Sequence, residues 1–499
     1  MSEKIRQDPM ATVNMEEVAT PKPSDELAVV YVVDPEEEKQ VLKKLDRVIL
    51  PLMALVYFFQ YLDKQSINYA AVFGLSKDLD LSGTEFSWVI SLFYFGQLCS
   101  EYPGAYLMSR LPITILVGVT IVLWGGAEMC LAASTGFSSL AAVRFLLGFT
   151  EGIVSPSFMI ITSTWYRRKE NPVRIATWVS MFGVSQIVGG LMMYGIGGAK
   201  LSMQTWRVMF LVCGGLTVGC GVLFIAFMPR DTTTAWFLNE RERRVATERL
   251  ALDRATRDHT TFDWSQAKEA LTEPRTLFYA LMALFITIPT PITKFSSLVI
   301  NGFGYSPFQT MLVGLPSGAV AFILTWIGAI SPLYFPNSRC YIGILLASMP
   351  MLGSLLLLTL PAHMSWGIVV STWFAGSSAP PLSIAIGLMS SNVKGNTKKA
   401  VVGAIFFVFY CVGCISGPQL WQRQDAPRYY KGCIASVTSW GLLIISFLAY
   451  SYSAKYSNRK RDREALEGRQ GSVVADNNIG VSVDSDLTER QDRAFRYIY

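Results

Sequence analysis

Long apolar stretches alternate with short polar ones along most of this chain. The apolar runs fall at about 48–69, 85–108, 112–134, 139–165, 174–197, 206–228, 276–300, 307–331, 339–361, 364–390, 400–422 and 433–454. Each is long enough to cross a bilayer as a helix. Twelve such runs predict an all-α membrane protein. The hydrophilic segment from about Pro229 to Pro274 divides six spans from six, and contains NERERRVATERLALDRATRDH, which reads as an amphipathic helix. The expected layout is a disordered N-terminal tail (1–46), a six-helix bundle (47–228), a linker (229–275), a second six-helix bundle (276–454) and a C-terminal tail (455–499). The last is basic, then polar, without periodicity, and is expected to be disordered.

Composition agrees with the pattern. The 499 residues are 51% hydrophobic and only 16% charged, with mean hydropathy +0.35. A soluble chain of this length would carry more charge. The net charge of +6 does not indicate nucleic acid, because the basic residues sit in loops and tails beside apolar runs. The first thirty residues lack a charged segment followed by an apolar one, so they do not read as a signal peptide. Most of the eight Cys lie inside spans as small packing residues. No phosphate-binding G-x-x-x-x-G-K-[ST] loop is present, which argues against ATP drive. His259 and His363, in the linker and a loop, suggest no catalytic set.

Lys and Arg in short loops set the orientation. Arg110, the group Arg167, Arg168, Lys169 and Arg174, Arg339, and Lys394, Lys398 and Lys399 all fall in loops on one side. Arg423, Arg428 and Lys431 are an exception on the other. The balance predicts both termini in the cytoplasm.

Charges within apolar spans are costly, so they usually pair, face a cavity and serve function. At about 1.5 Å per residue, Asp63 lies roughly 22 Å along the first span, and Arg144 roughly 8 Å into the fourth, which runs the opposite way. The two fall at similar depth, so an ion pair between them is geometrically possible; it serves either coupling or structure. Glu151 is two turns after Arg144, on nearly the same face. Burial disfavours a carboxylate's charged form, as a proton carrier requires; a neutral Glu bonded within the bundle is the bland alternative.

Further matches are local. The segments YFFQYLDKQSINYAAVFGLSKDLDL (57–81), EYPGAYLMSR (101–110), RFLLGFTEGIVSPSFMIITSTWYRRKENPVRIA (144–176), TWRVMFLVCGG (205–215), MPRDTTTAWFLNERER (228–243) and NVKGNTKKAVVGAI (392–405) occur in that order. They resemble the anion:cation symporter branch of the major facilitator superfamily, whose fungal members include allantoate, nicotinate, pantothenate and biotin permeases. The resemblance covers roughly residues 40 to 455. It implies two halves rocking around a midplane site, proton coupling at Asp63, Arg144 and Glu151, and a substrate carboxylate received at Lys64, where the family has Arg. Three departures stand out: Ser109 replaces an Asp before Arg110, Lys64 replaces that Arg, and Gln97 stands where a Tyr is often found.

Lys64 points about 100° away from Asp63; it either contacts substrate or snorkels to the outer interface. Lys294 follows Pro289 and Pro291, which predict a kinked or broken seventh span. It is a second anion contact, an outer gate, or an interfacial lysine. Gln97, Ser155, Gln186, Ser297 and Asn301 are polar residues on cavity-facing spans, fitted to bond a ligand or a neighbouring helix. Glu128 is a further intramembrane acid with no evident partner. The tenth span cannot be a regular helix at Pro380–Pro381.

The reading is a secondary transporter, not an enzyme: a plasma-membrane symporter, active as a monomer, importing a small organic anion (carboxylate, vitamin or ureide type). Protons and the lipid bilayer are its other partners, and the proton gradient, not a cofactor, drives it. The alternatives are a proton-driven exporter of a metabolite and a nutrient sensor that binds without transporting.

Overall fold

The computed structural model describes residues 35–167, 170–199, 202–254, 262–335, 337–471, 486–492 and 494–499. Residues 1–34, Arg168, Lys169 and His259 lie outside them. Among the described residues all regular structure is helical. Ten helical stretches are long and apolar enough to cross a membrane: Pro35–Val72, Ile113–Leu131, Phe137–Trp165, Asn171–Gly198, Thr205–Phe227, Pro274–Gly302, Pro307–Tyr334, Arg339–Thr359, Asn396–Leu420 and Tyr430–Leu466. Glu85–Arg110 and the pair Ser365–Ala375 and Ala379–Asn392 complete the twelve. The first of these is diluted by polar Ser87, Ser91, Gln97, Ser100 and Glu101 and the pair is interrupted, which makes both less apolar as a run. Spans are numbered first to twelfth in chain order. Large side chains such as Leu123, Val222, Ile323 and Ile445 project outward, as lipid-facing residues do.

The first span begins earlier than expected. Pro35 opens it and Glu36, Glu37 and Glu38 fill its first turn. Proline fits a first helical turn, where its missing N–H is not needed, and acids suit the positive end of the helix dipole. Residues 35–46, expected to be a disordered tail, therefore extend the helix. Arg241 pairs with Glu37 at 2.6 Å and Lys44 with Glu242 at 2.7 Å, fastening this extension to the linker helix Glu240–Arg254, while Arg167, just after the fourth span, pairs with Glu38 at 2.7 Å.

Small residues decide which spans touch. Between hydrocarbon-facing helices no hydrophobic force operates, so close packing must come from shape. A Cβ on Gly148 would stand 1.8 Å from the carbonyl oxygen of Phe93, and one on Gly96 2.1 Å from that of Phe145. The second and fourth spans thus meet backbone to backbone. The fifth and eighth spans meet in the same way through Gly183 and Gly318.

Five spans are broken; the fifth and eighth are interrupted only at Ser180 and Leu315. The seventh divides into Pro274–Thr287 and Ile292–Gly302 around Pro289 and Pro291. The fourth yields at Gly152–Ile153, directly after Glu151. The tenth breaks at Gly376–Ser378 and not at Pro380–Pro381; the two prolines open the next helix, where they are tolerated.

The C-terminal region is also more ordered than its composition suggests. The last helix continues to Gly471, and residues near the C-terminus fold back onto the second half. Lys398, 1% exposed, is surrounded there by Glu269 (2.8 Å), Glu273 and Glu489. Asn392 exchanges two hydrogen bonds with the backbone of Ile498, at 2.8 and 2.7 Å, and Asn458 does the same with Tyr497, both at 2.9 Å. The Arg275 guanidinium lies 3.7 Å from the Tyr497 ring centroid. Burial raises the Glu489 carboxyl above its ordinary range, against the pull of Lys398.

Candidate functional site

The site begins with the first span. Between Tyr57 and Asn68 its buried side chains are largely polar: Gln60, Asp63, Gln65, Ser66 and Asn68. One residue separates two environments. Asp63 faces inward, where its Oδ2 accepts hydrogen bonds from Trp124 Nε1 of the third span (2.6 Å) and Thr217 Oγ1 of the sixth (2.8 Å). Lys64, a third of a turn on, faces the junction between the halves, where its Nζ pairs with Glu151 Oε1 at 2.7 Å. The same ammonium lies 5.3 Å from the Tyr61 ring centroid and 5.7 Å from that of Phe93.

This corrects the expected pairing. Asp63 and Arg144 form no ion pair; Asp63 is taken by Trp124 and Thr217, and Arg144 Nε and Nη2 have no hydrogen-bond partner among the described residues. Depth along two helices was compatible with a pair, but the direction each side chain faces is not. Arg144 is 3% exposed and within electrostatic reach of Glu128, Glu151 and Asp63. Glu128, for which the sequence offered no partner, is fully buried, with Oε1 2.6 Å from the Ser66 hydroxyl.

Lys294 is 8% exposed and so is not an interfacial lysine; its Nζ crosses from the seventh span to donate to the Lys64 backbone carbonyl at 2.5 Å. The Lys64 side chain, 13% exposed, does not snorkel. Three acids (Asp63, Glu128, Glu151) and three cations (Lys64, Arg144, Lys294) thus converge in the interior.

Towards the ends remote from the termini, a cavity of about 40 Å³ lies between the halves, bordered by Gln65, Asn68, Gln186, Ser297, Thr310 and Ser317 among others. Asn68 Nδ2 donates to Ser297 Oγ at 3.0 Å, and Ser317 Oγ to Gln186 Oε1 at 3.1 Å. Buried Gln65 Oε1, Asn68 Oδ1 and Thr310 Oγ1 have no partner among the described residues. Gln97 is buried, its Oε1 also unpartnered, and packs against Gly152 beside Glu151. Ser155 is half-buried just past the break in the fourth span. Asn301 stands apart from the cavity: in the last turn of its helix, its Nδ2 donates to the Tyr305 carbonyl at 2.8 Å. Gln60, Gln65 and Asn68 were not anticipated, although polar residues at this spacing in an apolar span could have been noticed.

Further contacts close the side remote from the termini. Ser87 Oγ donates to the Trp421 carbonyl (3.0 Å), Ser91 Oγ to that of Ile415 (2.7 Å), and Phe86 and Phe73 meet Phe295 and Phe308 edge-on. The described hydrogen bonds and ring contacts between the halves lie at this end or near mid-depth.

Residues 53–418 match the profile of the Major Facilitator Superfamily. The chain belongs to that family. Members are transporters, not enzymes, and this one is a multi-pass secondary transporter. It is 34% identical to an uncharacterized transporter of Schizosaccharomyces pombe, over 92% of this chain and 87% of the relative. It is 30% identical to the allantoate permease of Saccharomyces cerevisiae (93% and 87%) and 31% identical to a thiamine pathway transporter of the same yeast (92% and 86%). Among solved structures, the Escherichia coli xylose transporter in a partially occluded inward-open conformation superposes with TM-score 0.60 at 13% identity, covering 79% of this chain and 96% of that one. A bacterial homologue of the human lysosomal transporter Spinster, inward-facing, gives 0.57 at 14% (84% and 97%). These two likenesses concern the fold.

Proposed function

We propose that this transporter imports a small organic anion together with protons, by alternating access. Lys64 and Lys294 receive the anion's carboxylate; Asp63, Arg144 and Glu151 couple it to protons; Gln97, Ser155 and Gln186 hydrogen-bond the rest of the substrate. The termini face the cytoplasm, the membrane is the plasma membrane, and the bundles 47–228 and 276–454 rock as units in a monomer. The observation that carries this reading is the Lys64–Glu151 pair at 2.7 Å, with Lys294 anchored to the same residue from the other half. A proton on Glu151 removes the charge that Lys64 neutralises and frees its ammonium for a substrate carboxylate, so proton and anion bind together. One similar protein is a permease for allantoate, an organic anion, which favours the same class.

Glu151→Gln tests the assignment. The variant is expected to reach the membrane and to lose accumulation driven by an inward proton gradient. Proton-driven uptake that persists unchanged removes Glu151 from the mechanism.

A further inference from the structure

The third buried acid has no place in the coupling scheme above. Glu128 is 0% exposed, on the third span one turn after Trp124, the residue that donates to Asp63. Its only described hydrogen bond joins Oε1 to the Ser66 hydroxyl at 2.6 Å, and its Oε2 has none. Ser66, also 0% exposed, is at the same time 2.7 Å from the backbone carbonyl of Asp63. A hydroxyl has one proton to give and lone pairs with which to accept. A backbone carbonyl only accepts. Ser66 is within donating distance of both acceptors; when its one proton goes to the carbonyl, a proton on Glu128 satisfies the short contact between the two side-chain oxygens.

Two further observations agree. An ionised carboxylate with one bond and an orphaned oxygen in a dry interior is costly, whereas a neutral acid is far less so. Arg144 is near enough to act on Glu128 electrostatically, yet no ion pair joins them and its Nε and Nη2 are unpartnered. An arginine beside an ionised glutamate would be expected to bind it.

We propose that Glu128 is a second proton-holding carboxyl of the transport cycle, neutral in this conformation and able to exchange its proton with Asp63. In the exchange the Glu128 O–H bond breaks and an O–H bond forms on Asp63. The negative charge moves from Asp63 to Glu128, where the free donors of Arg144 receive it, and total charge is unchanged. Among the described residues, Asp63 from the first span, Arg144 and Glu151 from the fourth, and Cys213 from the sixth are titratable groups in electrostatic reach of Glu128. Trp124 and Thr217, both donating to Asp63, favour Asp63 as the charged partner in this conformation.

This deepens the proton-coupled reading, but its test is spectroscopic and does not need transport. In infrared spectra of the purified full chain at neutral pH, wild type minus Glu128→Gln is expected to show one carboxylic-acid carbonyl band. That band should shift in D2O, because the proton exchanges. Absence of the band, or a band indifferent to D2O, overturns the proposal. Should the Gln variant not fold, Ser66→Ala keeps the acid and removes the oxygen it bonds; the band must then move, and a stationary band overturns the assignment equally. A failure of proton-driven uptake with the band present contradicts the symport reading and leaves the protonated Glu128 standing.

Discussion

Replacing Lys64 with Met removes one partner of a buried ion pair whose other member, Glu151, has a side chain 1% exposed. At a separation of 2.7 Å and an effective dielectric of about 20, Coulomb's law gives roughly 6 kcal/mol of attraction. Desolvation of both groups offsets most of this, so the intact pair contributes little net stability. Breaking it is another matter, because a charge is left buried alone, at a cost of about 3–5 kcal/mol. Lys64→Met and Glu151→Met should each destabilise by that order, whereas the double variant, with neither charge, should lie close to wild type. The assay is thermal unfolding of the purified protein in one detergent, taken as a double-mutant cycle. A double variant as unstable as the sum of the singles would refute a direct pair between these residues, and with it the competition for Lys64 on which the coupling mechanism rests.

Two further predictions concern the scaffold. Gly148→Ala forces a methyl group into the backbone of Phe93, 1.8 Å away, so the second and fourth spans must separate; surface expression should fall sharply, and normal expression would argue against that contact. Lys398→Met leaves Glu269, Glu273 and Glu489 facing one another without their shared cation and should lower stability by about 3–5 kcal/mol. Much of that loss should be recovered when Glu489→Gln is added, as read by melting temperature.

The spans were legible because hydrocarbon thickness fixes their length and composition, and Pro289 and Pro291 marked a break that is present. Which charges face each other was not legible. Depth follows from residue counting, but Asp63 and Lys64 diverge by a third of a turn, and what each meets depends on how the third, fourth, sixth and seventh spans are arranged around the first. Glu128 and Ser66 are 62 positions apart, and nothing local announces their contact. The C-terminal region misled for a related reason. Its polar composition is that of a disordered segment, yet Glu489, Tyr497 and Ile498 find partners on Lys398, Arg275, Asn458 and Asn392, which only the folded second half brings together.

The central claim is tested most directly by accumulation of a panel of labelled carboxylates, ureides among them, in yeast cells expressing this chain, at acidic and neutral pH, with and without a protonophore. The account predicts that at least one compound accumulates, faster at acidic pH, and that the protonophore abolishes the accumulation. Uptake indifferent to both pH and protonophore, or none at all despite surface expression, would contradict proton-coupled import of an organic anion; in the second case the search would turn to efflux.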